Sequence, residues 1–378
     1  MSSAAASAQP KRQGDIPLVN LARQYQEIES DVKLAIEQVL KDQQFILGPH
    51  TKRFEEAFAK LLGVPQVIGC SNGTSAISLV LEASGVGAGD EVITVSHTFI
   101  ATVEAIYRVG ATPVFIDIDP ATYNMNPALI EAAITPRTKA IIPVHIYGTP
   151  CDMQAIMAIA DKHNLLVVED TAQAHMAAFN GKPLGLWGKA ATYSFYPGKN
   201  LGAYGDAGAI ATGDEQLAQR VRQLRDHGRM AKYEHDMIGH NERMDAIQAS
   251  ILSVKLPHLT RWTENRRMLA NHYRKRLDGF KIMQSPAGGE SVYHLFVLEV
   301  SNREQVLDTL KQAGVHAGIH YPIPVHKQPA VTARLPKTLS LPATELAASR
   351  IMSLPICGST TTDEVDYVCD VFLGVAKP

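Results

Sequence analysis

The chain reads as an α/β protein, with a mostly parallel sheet between helices and a small C-terminal α+β unit. Three observations predict this. Short apolar runs alternate with segments of helical period over residues 91–212, the pattern of parallel strands joined by crossover helices. The run Leu165-Leu-Val-Val-Glu169 is apolar at successive rather than alternate positions, as in a strand covered on both faces. A length of 378 residues with 46% hydrophobic content suffices for one large and one small core.

Residues 1–13 are rich in Ala and Ser, end in Lys11-Arg12 and lack the hydrophobic stretch of a signal peptide; a disordered tail is expected there. Residues 14–250 are expected to form the large domain. Its strands are predicted at Glu91–Val95, Pro113–Ile118, Ala140–Ile146, Leu165–Glu169, Ala190–Phe195 and Ala209–Thr212, and helices at Thr102–Val109, Pro127–Ile134 and Met153–Lys162. Residues 215–250 read as helical apart from an irregular stretch around Tyr233–Asn241. The helical segment from Ile247 to Leu277 is expected to break or kink at Pro257, which lacks an N–H. Residues 251–378 are expected to form the small domain, with a strand at Tyr293–Val300, a helix at Arg303–Ala313 and a closing helix from Thr362.

A net charge of −2 describes a soluble globular chain and gives no electrostatic reason to expect nucleic acid as a partner. The longest apolar runs are too short to cross a bilayer. The four cysteines, Cys70, Cys151, Cys357 and Cys369, have neither metal nor disulfide spacing, which fits a reducing cytoplasm. His316 and His320 have metal spacing for a helix, but Gly314, Gly318 and Pro322 exclude a regular helix there, so no metal site is expected.

Four segments carry chemistry. In Tyr193-Ser-Phe-Tyr-Pro-Gly-Lys199-Asn-Leu-Gly202 a strand stops at Pro197-Gly198 and a lysine follows on a Gly-rich turn. A lysine at the mouth of a sheet can form a Schiff base with a carbonyl compound, and burial makes its amine nucleophilic; a surface lysine in a loop has the same local pattern. In Ser71-Asn-Gly73-Thr74 an apolar stretch runs into a helix through capping residues, which is either an ordinary cap or a phosphate cradle of helix amides and hydroxyls. No Walker-type lysine motif is present, and Gly85-Val-Gly-Ala-Gly89 precedes a strand rather than a helix, so it is not a dinucleotide loop. Glu169 and Asp170 sit at the carboxyl end of a strand, where open α/β sheets bind ligands. Asp170 is a candidate partner for a pyridinium nitrogen, and Glu169 reads as a cap for the next helix. Phe99, after the strand ending at Val95, is a candidate to stack on a flat ring, or a core residue at a strand–helix junction.

These blocks occur in the order found in fold-type-I enzymes of pyridoxal phosphate (PLP). The chain resembles the nucleotide-sugar aminotransferases of the DegT group from Ile16 onward, through Phe45-Ile-Leu-Gly48-Pro, Ser71-Asn-Gly-Thr74, Thr98-Phe-Ile-Ala-Thr102, Glu169-Asp-Thr-Ala-Gln-Ala-His175 and Ser194-Phe-Tyr-Pro-Gly-Lys199-Asn. The match continues through Arg225-Asp-His-Gly228, Gly239-His-Asn241-Glu-Arg243-Met-Asp245 and Gly318-Ile-His-Tyr-Pro-Ile-Pro-Val-His326. The resemblance implies a mostly parallel seven-stranded sheet, a homodimer and the following roles. Lys199 holds PLP as a Schiff base. Asp170 pairs with the ring nitrogen, Gln173 contacts the ring or its phenolic oxygen, and Phe99 stacks on the ring. Gly73, Thr74 and Ser194 bind the phosphate, and Asn241 reaches the phosphate of the neighbouring subunit. His320 and Tyr321 border the sugar pocket, and His175 is a candidate either for the active-site rim or for a hydrogen-bonding histidine behind the contacting residues. Arg222, Arg225, Arg229 and Arg243 include candidates for the substrate diphosphate. Ala207 departs from the family's common Gly.

Related sugar dehydratases carry His at the position of Lys199, so the lysine argues for amino transfer. The expected reaction moves an amino group from glutamate to a keto group of a dTDP- or UDP-linked sugar, with carbon 3 favoured by the Gly318–His326 block. A PLP-dependent dehydratase and a PLP-binding regulatory protein of the same fold are the alternatives. A nicotinamide oxidoreductase is disfavoured by the missing Gly-x-Gly-x-x-Gly.

Overall fold

The computed structural model describes residues 14–335 and 339–378; the expected tail at residues 1–13 lies outside them. The main sheet has seven strands: β1 (Gln66–Cys70), β2 (Glu91–Val95), β3 (Thr112–Ile116), β4 (Thr138–Ile141), β5 (Leu166–Asp170), β6 (Ala190–Ser194) and β7 (Gly208–Thr212). Their order is β1-β7-β6-β5-β4-β2-β3. β7 pairs antiparallel with β1 and β6, and the other pairings are parallel. All the carboxyl ends except that of β7 therefore share one edge. β7 runs back and brings its first residue, Gly208, to the same edge, opposite both Cys70 and Ser194.

Every residue of β2 and β7 is buried, as are Val167 to Asp170 of β5, so these strands are covered on both faces. Val92 and Ile93 are neighbours in sequence but join cores on opposite faces, as alternation along a strand demands. One face packs against the helices Gly73–Ala83, Ala101–Arg108 and Glu215–Arg225, the other against Met153–His163.

Several expected elements differ in detail. β1 is an additional strand, short and broken in hydrophobicity by Gly69. The strand expected over Ala140–Ile146 ends at Ile141; Pro143 has no N–H for the ladder, and the chain then makes a 3-10 turn at Ile146–Gly148. The helix from Glu215 ends at Arg225, and the irregular stretch extends over 226–245, with a small ribbon pairing Arg229–Ala231 with Glu234–His235.

The second unit is built on β8 (Phe296–Glu299), paired antiparallel with β9 (Ile351–Leu354). The strand expected from Tyr293 starts later, because Tyr293 has φ 45°, outside the extended region. At Pro257 the helix breaks as its chemistry requires: Ala246–Lys255, a 3-10 turn over Leu256–His258, then Leu259–Arg276. Leu252, Leu256 and Leu259 pack with Phe54 and Phe58, whereas Leu269 and Tyr273 pack with β8, β9 and the closing helix Thr362–Leu373. The chain thus changes cores within the Leu259–Arg276 helix rather than at residue 250. Ile16 also packs in the second core.

Behind the strand that leads to Lys199 lies an aromatic cluster. Phe58 packs edge-on to Tyr193 at 5.1 Å and to Phe195 at 5.5 Å, and stacks on Phe54 at 5.6 Å. Phe58 is fully buried. Phe58→Ala is expected to cost about 3–5 kcal/mol, read as a lower urea midpoint at unchanged slope; an unchanged midpoint would show that the cluster does not support the β6 terminus.

Candidate active site

A cleft of about 540 Å³ opens at the shared carboxyl edge and is lined by residues from the ends of β1, β2, β5 and β6 and by His294, Leu295, His320 and Tyr321 of the second unit. Its floor carries Lys199 and Asp170. Beyond β6 the chain turns sharply: the Lys199 N–H donates to the Tyr196 carbonyl at 2.8 Å and the Ala203 N–H to that of Phe195 at 2.7 Å. Gly202 is required in this turn, since a Cβ there would stand 2.3 Å from the Pro197 carbonyl oxygen. Burial pulls the Lys199 amine down from 10.5 to about 8, and Asp170 only partly opposes it. Burial likewise raises the Asp170 carboxyl, against hydrogen bonds from Thr102 and the Ala172 N–H and the charge of Lys199. The Thr102 Oγ1 bond to Asp170 Oδ2 is 2.8 Å, and Thr102 is itself 2.8 Å from Thr98. Asp170 is thus fixed in orientation at the end of β5.

The Gly73–Ala83 helix points its first turn into the cleft. Asn72 caps it by accepting the Ser75 N–H at 2.8 Å, which leaves the Gly73 and Thr74 amides among the donors that a helix start cannot satisfy internally. A Cβ on Gly73 would meet Ser194 Cβ at 2.8 Å, and one on Gly208 would stand 2.4 Å from the Asn72 carbonyl. Ser194 Oγ accepts the Tyr196 N–H at 3.3 Å, so its own proton can turn towards a ligand. Glycines that admit no side chain, free first-turn amides and a hydroxyl fit a phosphate monoester, and the amine and carboxylate beside them fit the aldehyde and ring nitrogen of PLP. Ala207, the departure from the family pattern, is buried, and its carbonyl accepts the Phe195 N–H at 2.8 Å, so the extra methyl is accommodated.

Phe99 is 54% exposed, unusual for so large an apolar ring, and forms a wall of the cleft 5.7 Å from the Tyr321 ring. Gln173 Oε1 accepts the Tyr147 N–H at 2.7 Å. Since a backbone N–H only donates, the amide orientation is fixed, and Gln173 presents its NH₂ to the Tyr321 hydroxyl at 3.2 Å and to the cleft. His320 is held by Ser353 Oγ at 3.0 Å; burial first, and then Lys199, hold its imidazole down at about 4.

Other candidate residues lie elsewhere. His175 is fully buried beneath the floor, between the rings of Tyr193 and Phe195; burial pulls it down to about 3, and it does not form the rim. Asn241 is exposed and outside the cleft, on a segment that bridges to Asp226. Arg243 bonds Asp226 at 2.9 Å. Arg222 bonds Gln66 at 2.6 Å, Arg225 pairs with Glu55 at 2.7 Å and Arg229 with Asp226 at 3.5 Å, so none of the four arginines lines the cleft of its own chain. Glu169 caps no helix: it accepts the N–H groups of Gly185, Trp187 and Gly188 at 3.0, 3.1 and 2.9 Å, pinning a loop. Among the described residues no cluster of His, Cys, Asp or Glu could hold a metal ion. The sequence reading did not single out His294, whose Nδ1 lies 3.2 Å from Asn200 Oδ1, or Tyr147. Their signals are contacts between distant segments.

A half-buried amine and a buried carboxylate beside a helix start with free first-turn amides fit a PLP-dependent enzyme of amino-group chemistry. The chain belongs to the DegT/DnrJ/EryC1/StrS aminotransferase family, whose model matches residues 26–373. It is 44% identical over 361 residues to a pleiotropic regulatory protein of Geobacillus stearothermophilus, covering 94% of this chain and 97% of that one. It is 43% identical over 358 residues to the UDP-N-acetyl-3-dehydro-alpha-D-glucosamine 3-aminotransferase of Acidithiobacillus ferrooxidans, covering 94% and 96%. Among solved structures, S. venezuelae DesV in complex with a ketimine intermediate superposes with TM-score 0.93 at 39% identity, covering 95% of this chain and 98% of that one. The fold is therefore that of the PLP-dependent aminotransferases.

An amine held at about 8 gives a kinetic signature. In cofactor-free protein, imine formation needs the neutral amine, so the rate of PLP uptake is expected to rise about tenfold per pH unit up to about pH 7.5 and flatten above about 8.5. Stopped-flow absorbance checks this; a rate still climbing to pH 10 would mean an unperturbed lysine.

Proposed function

We propose that this protein transfers an amino group from an amino acid, glutamate being the donor, to the keto group at carbon 3 of a UDP- or dTDP-linked hexose, with PLP as cofactor. The observation that carries the reading is the Lys199–Asp170 pair on the floor of a cleft whose outer wall is Phe99, His320 and Tyr321. The named 3-aminotransferase relative supports the acceptor class.

Bound PLP supplies an aldehyde carbon that carries the amino group and a ring that withdraws electrons from the carbon losing its proton. The chain's residues do the rest. Gly73, Thr74 and Ser194 bind the phosphate, and Phe99 and Gln173 orient the ring. Asp170, held by Thr102, keeps a proton on the ring nitrogen. Lys199 would hold the cofactor covalently, and its amine, when free, would move a proton at the substrate carbon. A depressed amine pKa suits this, since a general base works best when its pKa lies near the working pH.

Against a dehydratase stands the lysine itself, where the related dehydratases carry His, and the 3-aminotransferase relative favours turnover over binding alone. We further infer a homodimer, because Asn241, which resembles the residue that such dimers send to a neighbouring subunit's phosphate, is exposed and lies outside its own cleft. A cytoplasmic location is proposed from the four free, buried cysteines.

Incubation with glutamate and a panel of UDP- and dTDP-linked keto hexoses, read by mass, is expected to yield a 3-amino sugar and 2-oxoglutarate. Released ammonia, or no product from any sugar, would reject the proposal. Lys199→Ala is expected to remove the near-visible absorbance of the Schiff base and to lower turnover by at least about 100-fold. Asp170→Asn is expected to retain bound cofactor and to lose about 100-fold in rate; a wild-type rate would remove Asp170 from its role.

A further inference from the structure

Bonds from two sides of the cleft wall, at Gln173 and at His320, run back to one buried residue that does not line the cleft. Tyr147 sits in the 3-10 turn Ile146–Gly148, fully buried, with φ 59°. A non-glycine residue in the left-handed region is kept there only by its surroundings. Its backbone N–H donates to Gln173 Oε1 at 2.7 Å. Its hydroxyl donates to the His320 carbonyl, and His97 Nε2 lies 2.6 Å from the same hydroxyl. The proton pattern follows from donor and acceptor chemistry. A carbonyl only accepts, so the single phenolic proton is committed to His320, and His97 must donate from Nε2. His97 is 3% exposed, and burial holds its imidazole down at about 4, so it is neutral, with one N–H to give. The following Gly148 closes the turn: a Cβ there would stand 2.9 Å from the His294 N and 3.0 Å from the Gln173 carbonyl oxygen. One tyrosine therefore touches both sides of the wall, Gln173 after β5 and the His320–Tyr321 segment of the second unit.

We propose that Tyr147 is a positioning residue for the amino acceptor: its N–H and O–H set Gln173 and the His320–Tyr321 segment against each other, and His97 keeps the hydroxyl in register. The proposal rests on the aminotransferase reading above. It places the control of acceptor fit two contacts away from the reacting atoms, in residues that neither bind the cofactor nor move a proton.

Tyr147→Phe in the PLP-loaded enzyme deletes only the hydroxyl and keeps the ring and the backbone N–H. The expected result is unchanged cofactor absorbance, a thermal midpoint lowered by at most about 5 °C, a KM for the keto sugar raised about tenfold, the size of one buried hydrogen bond, and kcat within about threefold of wild type. His97→Leu is expected to reproduce the effect, and His97→Gln, which keeps a side-chain N–H, to restore most of it. Amide exchange at Ile319 and His320, followed by mass spectrometry in the loaded protein, is expected to accelerate in Tyr147→Phe. An unchanged KM on a sugar that the wild type turns over overturns the proposal, as does a fall in kcat at constant KM. If the wild type turns over no keto sugar, the acceptor reading fails, and exchange alone decides the positioning role: acceleration supports it and wild-type exchange overturns it.

Discussion

Two ionisable groups, the half-buried Lys199 and the buried Asp170, stand together at the end of one sheet, and the rest of the site serves that arrangement. Each pulls the other towards its charged form, while burial pushes both towards neutrality; in both the burial effect is the larger. An amine poised near neutrality results, which neither an exposed lysine nor a lysine locked in a tight ion pair provides. The scaffold must then hold the two groups without letting water in. Parallel pairing of β5 with β6, with Asp170 opposite Thr192, fixes the acid. The tight turn from Tyr196 to Ala203 fixes the amine. Lys255 reinforces that turn from below: its buried ammonium donates to the Gly202 carbonyl at 2.7 Å and lies 4.1 Å from the Tyr204 ring centre.

Positive charge in the cleft is scarce. His294 and His320 are both held well below the usual histidine range, by burial first and then by Lys199, so near neutrality they add none. The arginines near the site are committed elsewhere. Arg266, buried in the second unit, gives its Nη1 to the carbonyls of Tyr293, His294 and Ile356 at 3.0, 3.2 and 2.9 Å. On the proposed function, the groups of its own chain that a phosphate in this cleft would meet are oriented dipoles, the amides of Gly73 and Thr74 and the hydroxyl of Ser194, rather than an arginine. Dipoles fixed by the backbone need no reorganisation when a ligand arrives, and they leave the Lys199 amine without a second positive neighbour from the cradle.

What was legible in the sequence is what depends on local chemistry at strand ends. Lys199 after Pro197-Gly198, Asp170 ending an apolar run and Gly73-Thr74 opening a helix each carry their meaning within about five residues, because a strand terminus and a helix start are local events. Phe99 was legible for the same reason. What was not legible depends on distant packing. His175, only five residues from Asp170, reads as a site residue, yet the Tyr193 and Phe195 rings enclose it beneath the floor. Glu169 reads as a helix cap, yet its partners are the amides of a loop some sixteen to nineteen residues on. Tyr147, His97 and His320 lie far apart in the chain, and nothing local in any of them announces the other two.

The same division of local from distant separates the cofactor from the acceptor. The cofactor end of the cleft is made of termini of a single sheet whose geometry the hydrogen-bonded ladder over-determines; moving any one of them would break the register of its neighbours. The acceptor end is made by the Gly318–Tyr321 segment of another unit, docked through a few side-chain contacts and the antiparallel bridge of Gly318 to Ser353. Changes in that segment can reshape the acceptor pocket at little cost to the ladder. On the proposed function, proton transfer and cofactor binding would be properties of the sheet, whereas the choice of sugar would belong to the docked wall and to whatever sets its height above the Lys199 amine.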